Sequence, residues 1–140
     1  MKAFTANTEI NAAPEVVWGI LTDSAKYTEW DPGMLQLKGK IAPGEKLMIY
    51  AKVAPNRAFS PVVSEFEPNR KMVWSSGMPM GLFKGARTFT LESPGEGRTR
   101  FTLREEFSGL LLPLIGMSIP DLTPVFEAFC DGLKNRAESV

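Results

Sequence analysis

The segment from residue 117 to the C-terminus constrains the fold more than any other. From Asp121 onward, Leu122, Val125, Phe126, Phe129, Cys130, Leu133 and Ala137 recur at steps of three and four, the spacing of a helix with one buried stripe. Glu127, Asp131, Lys134, Asn135 and Glu138 fall on the opposite face. Ser118 or Asp121 can cap the first turn, where Pro120 and Pro124 are tolerable. An isolated helix of this length is marginal in water, so its aromatic stripe requires a broad apolar surface from the rest of the chain.

That surface is read as a sheet. Phe4, Ala6, Thr8 and Ile10 alternate in a first strand, and Pro14 and Glu15 open a short helix with Val17, Trp18 and Leu21 on its buried side. Asp23 ends that helix and can cap a second, about 24–29, which stops at Trp30-Asp31-Pro32-Gly33. From 34 to 108 alternating segments and turn signals predict six more strands: 35–37, 47–53, 59–66, 72–78, 87–91 and 101–107. Pro55-Asn56-Arg57 reads as a loop and Glu67-Pro68-Asn69-Arg70 as a tight turn. Strands followed by a helix imply an α+β fold, one antiparallel sheet with a helix on one face, in a single domain spanning 1–140.

Composition excludes several functions. Basic and acidic residues number 16 each with no basic run, which gives nucleic-acid binding no electrostatic support. No signal peptide is visible at the N-terminus, and no run of about 18 apolar residues offers stable membrane insertion. Cys130 is the only cysteine, which suits a reducing, cytoplasmic compartment; on the stripe it reads as a small buried hydrophobe. The absence of histidine removes Ser/His/Asp triads, Cys/His dyads and most zinc and haem sites, and no metal or other cofactor is expected.

The segments Ile10-Asn11-Ala12-Ala13-Pro14-Glu15-Val16-Val17-Trp18, Asp23 and Tyr27 with Trp30-Asp31-Pro32, the Glu67–Arg70 turn before Val73-Trp74, Glu106-Phe107-Ser108-Gly109, and Leu133-Lys134 with Ala137-Glu138 resemble the SRPBCC superfamily over nearly the whole chain. That group includes polyketide cyclase/dehydrase-like proteins, START lipid-transfer domains and the birch-pollen allergen family. The resemblance implies a helix-grip fold: a curved seven-stranded antiparallel sheet around the long C-terminal helix, two short helices after the first strand, and a cavity between sheet and helix. Members differ in what they hold there.

Two loops point to an opening at one end of the sheet. Residues 109–120 carry no charge and are rich in Gly and Pro, and an antiparallel order places them beside 77–83. The long loop is a lid, a plug closing the core, or a docking patch for another subunit. With the lid reading, Trp74, Met78, Met80, Phe83, Phe89, Phe107, Leu111, Ile115, Phe126 and Phe129 line the cavity. Trp18, Trp30 and Trp74 also read as ordinary core.

Strand parity adds a polar element. Arg87 shares its face with Phe89 and Leu91, and Glu105 shares its face with Phe101, Leu103 and Phe107. A three-residue hairpin loop at Gly95-Glu96-Gly97 sets Pro94 opposite Arg98, and counting back brings Arg87 opposite Glu105. The expected cross-strand pair is a structural bridge, an anchor for a ligand's polar end, or an acid–base pair. The functional expectation is binding or transport of a hydrophobic small molecule of lipid, polyketide or aromatic type by a monomer or homodimer. The alternative is a cyclase or dehydratase using Glu105, Arg87, Asp31 or Tyr50 for proton transfer, and a weaker one, from relatives, is a chaperone-cofactor role.

Overall fold

Strand β1 (Lys2–Ile10) hydrogen-bonds along its whole length to the last strand, β8 (Thr99–Ser108), from Lys2 opposite Phe107 to Ile10 opposite Thr99. The computed structural model describes residues 1–140, the side chain of Ser118 excepted. After β1 come α1 (Pro14–Leu21) and a 3-10 helix (Ser24–Glu29), then β2 (Met34–Lys38), β3 (Met48–Ala51), β4 (Ala54–Phe59), β5 (Val62–Glu67), β6 (Lys71–Met78) and β7 (Phe83–Glu92) before β8. Two short helical turns, α2 (Leu112–Ile115) and a 3-10 segment (Gly116–Ser118), precede α3 (Thr123–Glu138).

The strands form two antiparallel sheets rather than one of seven: a five-stranded sheet ordered β1-β8-β7-β6-β5 and a three-stranded sheet ordered β2-β3-β4. The expected loop at Pro55-Asn56-Arg57 is instead strand β4, a sheet edge where proline's missing N–H costs no ladder bond. The run expected as one strand at 59–66 breaks at Ser60 and Pro61, and Pro61 has no N–H with which to continue a ladder. The two sheets still touch at that corner. Lys46 bridges Val62, the Gly44 and Leu47 N–H groups donate to the Val63 and Pro61 carbonyls at 2.8 Å each, and Val63 N–H donates to Glu45 at 2.9 Å.

The C-terminal helix begins later than the earliest expected start at 117. Proline at 120 and 124 divides the segment, so the chain makes two short turns before entering α3 with Pro124 in its first turn. Asp121 accepts the Thr123 N–H at 3.0 Å, satisfying a donor at the helix start. The stripe is buried as its spacing implies: Phe126, Phe129, Cys130, Leu133 and Ala137 all lie inside, and α3 packs chiefly against β1 and α1. Phe129 is the hub, with ring centroids 5.0 Å from Trp30, 5.9 Å from Phe101 and 6.1 Å from Phe89.

Gly132 allows this approach. A Cβ at that position would stand 1.9 Å from the Trp30 carbonyl oxygen, so helix and 3-10 segment meet backbone to backbone. The 3-10 helix is held by the buried Tyr27 hydroxyl, which donates to the Leu21 carbonyl. Asp23 provides no side-chain cap, contrary to the sequence expectation; its backbone carbonyl accepts the Lys26 N–H at 3.2 Å.

Candidate functional site

The inner face of the five-stranded sheet changes character row by row. Met72, Phe89, Leu103 and Ala6 form one cross-strand row, all buried. The next row toward the 77–83 end holds Trp74, Arg87, Glu105 and Phe4, and the one after it Ser76, Gly85, Phe107 and Lys2. The hairpin register is the one the three-residue loop implies, with Leu91 opposite Phe101, Phe89 opposite Leu103 and Arg87 opposite Glu105.

Arg87 and Glu105 form an ion pair at the boundary between dry core and open rim. Glu105 Oε1 accepts from Arg87 Nε at 3.0 Å and Nη2 at 2.9 Å, with the glutamate side chain 15% and the arginine side chain 25% exposed. The guanidinium also lies 5.0 Å from the centroid of the Phe126 ring, which ties the pair to α3. Gly85 lets the pair and the Phe107 ring close over this strand: a Cβ there would be 3.4 Å from Glu105 Oε2 and 3.2 Å from the Phe107 ring, tighter than ordinary van der Waals contact.

Asp31 is buried, and its Oδ1 accepts the Gly33 N–H at 3.0 Å. Burial raises its pKa, while the Gly33 bond and the charges of Arg87 and Lys52 pull the other way. Tyr27 lies between the indoles, 4.6 Å from Trp30 and 6.0 Å from Trp74 by ring centroids. The Nε1 atoms of both tryptophans are buried and have no hydrogen-bond partner among the described residues. Tyr50 stands apart on β3, lining a depression of about 380 Å³ with Leu35, Met48 and Pro55. A second depression, of about 370 Å³, lies on the surface over the seam where Trp30 and Gly132 meet. Neither lies at the expected mouth.

The proposed lining residues divide into two groups. Trp74, Phe89, Phe126 and Phe129 belong to the continuous packed core. Phe83 and Phe107 are half-buried and stacked at 5.9 Å, Leu111 and Ile115 are half-buried, and Met78 and Met80 are exposed. The two loops are joined by Leu110 N–H donating to Gly81 at 3.1 Å and Leu111 N–H donating to Leu82 at 2.8 Å. Gly109 sits at the crossing with φ +121°, where a Cβ would meet the Leu82 carbonyl oxygen at 2.6 Å. At the far end of the cover, Lys2 Nζ donates to the carbonyls of Gly116 at 3.0 Å and Ile119 at 3.3 Å.

Lys2 and Tyr27 are the site residues that the sequence reading passed over. Both carried a signal: Lys2 has the parity of inward-facing Phe4 and Ala6, and Tyr27 precedes Trp30 by one helical turn.

The profile of a family described as polyketide cyclase / dehydrase and lipid transport matches residues 1–138. The chain belongs to that family. Among solved structures, this polyketide cyclase/dehydrase and lipid transport family member resembles the ZhuI aromatase/cyclase from Streptomyces sp. R1128, with a TM-score of 0.78 and 13% identity over 98% of this chain and 93% of that one. A START superfamily protein from Mycobacterium smegmatis gives a TM-score of 0.70 and 16% identity, covering 98% and 97% of the two chains. A protein from Thermus thermophilus gives 0.72 and 20%, covering 99% and 98%. Identities this low establish a shared fold. No curated protein matches the sequence. No helix is long and apolar enough to cross a membrane, among the described residues.

Proposed function

We propose that this protein binds a hydrophobic small molecule of lipid, polyketide or aromatic type at the open end of the five-stranded sheet, beneath the 109–120 cover. The observation that carries this reading is the Arg87–Glu105 pair, largely buried on the inner face at the edge of the packed core, with the half-buried Phe107 ring in the next row. An ion pair there supplies a polar anchor next to an apolar wall of Phe83, Phe107, Leu111 and Ile115. Entry requires the cover to move off the 81–82 turn, to which Leu110 and Leu111 are bonded. The family description includes lipid transport, which supports a carrier. The free thiol of Cys130 suits a reducing, cytoplasmic setting for it.

A cyclase or dehydratase is the second reading. The observation favouring it is Asp31, a buried carboxyl with a raised pKa in the field of Arg87, the direction that proton transfer near neutrality requires. The ZhuI protein, an aromatase/cyclase by its description, shares the fold.

Mass spectrometry of small molecules that co-purify with the protein tests the binding reading directly. A fluorescent fatty acid should bind with micromolar or better affinity, and Leu111→Arg, on the half-buried wall, should weaken it. Absence of both a co-purifying molecule and measurable fatty-acid or aromatic-dye binding would overturn the proposal.

A further inference from the structure

The 109–120 cover has two faces, and only one belongs to the site above. Leu111, Leu112 and Ile115 are half-buried, whereas Leu110, Leu114 and Met117 are 78%, 75% and 89% exposed. Met80, at 91% exposure, lies on the loop bonded to the same cover. We propose that Leu110, Leu114, Met117 and Met80 form a docking surface for the interfacial region of a lipid bilayer. The proposal does not depend on what the site binds.

Three features favour a lipid surface over a protein partner. The exposed side chains are long, aliphatic and flexible, and protrude individually from short turns; none of them is an aromatic or arginine anchor of the kind that dominates protein interfaces. No charged residue occurs in 77–83 or 108–120. The backbone is also largely satisfied within the loops: Leu112 N–H donates to Gly109, Leu114 and Ile115 to Leu111, and Ile119 to Gly116. A segment entering an apolar phase must meet that last condition, because an unpaired peptide group is costly there.

Charge at the foot of the patch fits lipid headgroups. Lys84 is exposed, forms no ion pair among the described residues, and stands opposite both Gly77 and Ser108 where the two loops leave the sheet. Lys2 is engaged inside the cover by the Gly116 and Ile119 carbonyls and lies in the field of Asp121, so Lys84 is the cation left for a headgroup. Apolar tips above Lys84 match the order of acyl chains and anionic headgroups met on approaching a bilayer.

Sedimentation with vesicles of phosphatidylcholine, alone and with one-third phosphatidylglycerol, tests this. The wild-type chain should sediment with both and more strongly with the anionic vesicles. Leu114→Glu combined with Met117→Glu should reduce partitioning at least about ten-fold, and Lys84→Glu should remove only the anionic increment. All three side chains are exposed, so the unfolding midpoint and vesicle-free dye binding should be unchanged. Failure of the wild type to sediment with either vesicle overturns the proposal, as does equal partitioning by the double variant. A wild-type dimer that this variant converts to monomer would assign the patch to a second copy instead, and likewise overturn it.

Discussion

Replacing Glu105 by glutamine, Arg87 by methionine, and both together measures the coupling of the pair that marks the site. At 2.9 Å and an effective dielectric constant of about 20, the direct attraction is about 6 kcal/mol before desolvation is subtracted. Both side chains keep some contact with water, so removing one partner should cost about 2 kcal/mol, below the 3–5 kcal/mol typical of a fully buried pair. Arg87→Met also forfeits the contact with the Phe126 ring, about 0.5–1 kcal/mol. The double variant removes both charges, so it should be less destabilised than the sum of the singles by about 1–2 kcal/mol. With an unfolding entropy of about 0.3 kcal/mol/K for 140 residues, each single change should lower Tm by about 7 °C. Urea unfolding and calorimetry read the cycle, and titration with a fatty acid and its uncharged methyl ester reads the second function. Loss of preference for the charged ligand in Arg87→Met, with the preference kept or raised in Glu105→Gln, identifies an anchor; stability loss alone identifies a bridge. Single effects that add within about 0.5 kcal/mol would refute the pairing argument.

Phe129→Ala should cost about 3–5 kcal/mol by equilibrium unfolding, because the ring is 2% exposed and touches aromatic residues of both sheet and 3-10 segment. Burial raises the pKa of Asp31 above its ordinary value of 3.8, so its stabilising contribution is complete below that value and is lost as pH rises through the folded pKa. Asp31→Asn keeps an acceptor for Gly33 and should therefore raise Tm at pH 7, with the gain shrinking below about pH 4. Burial pushes the Cys130 thiol up to about 12, so it should react with a disulfide reagent only after unfolding, a rate difference that stopped-flow absorbance can follow.

Local periodicity determined a good deal by itself. The stripe at Phe126, Phe129, Cys130 and Leu133 repeats at the helical spacing whatever lies around it, and all four residues are buried. Register was equally local: a three-residue hairpin loop leaves one pairing that sets apolar against apolar, and it also sets Arg87 against Glu105. Backbone chemistry at single prolines had non-local effects that no alternation pattern contains. Pro61 divides the expected strand and with it the sheet, and Pro120 with Pro124 delays the helix. Tertiary structure alone decided how residues far apart in sequence meet. Gly132 is one more helix residue until the Trp30 carbonyl arrives 1.9 Å from where its Cβ would be, and Lys2 is one more terminal lysine until it holds the carbonyls of Gly116 and Ile119. The same aromatic residues that the lid reading of the 109–120 loop offered as cavity wall, Trp74, Phe89, Phe126 and Phe129, became core because α3 presses onto the sheet closely enough for their rings to touch, a distance set by packing between elements rather than by any one of them.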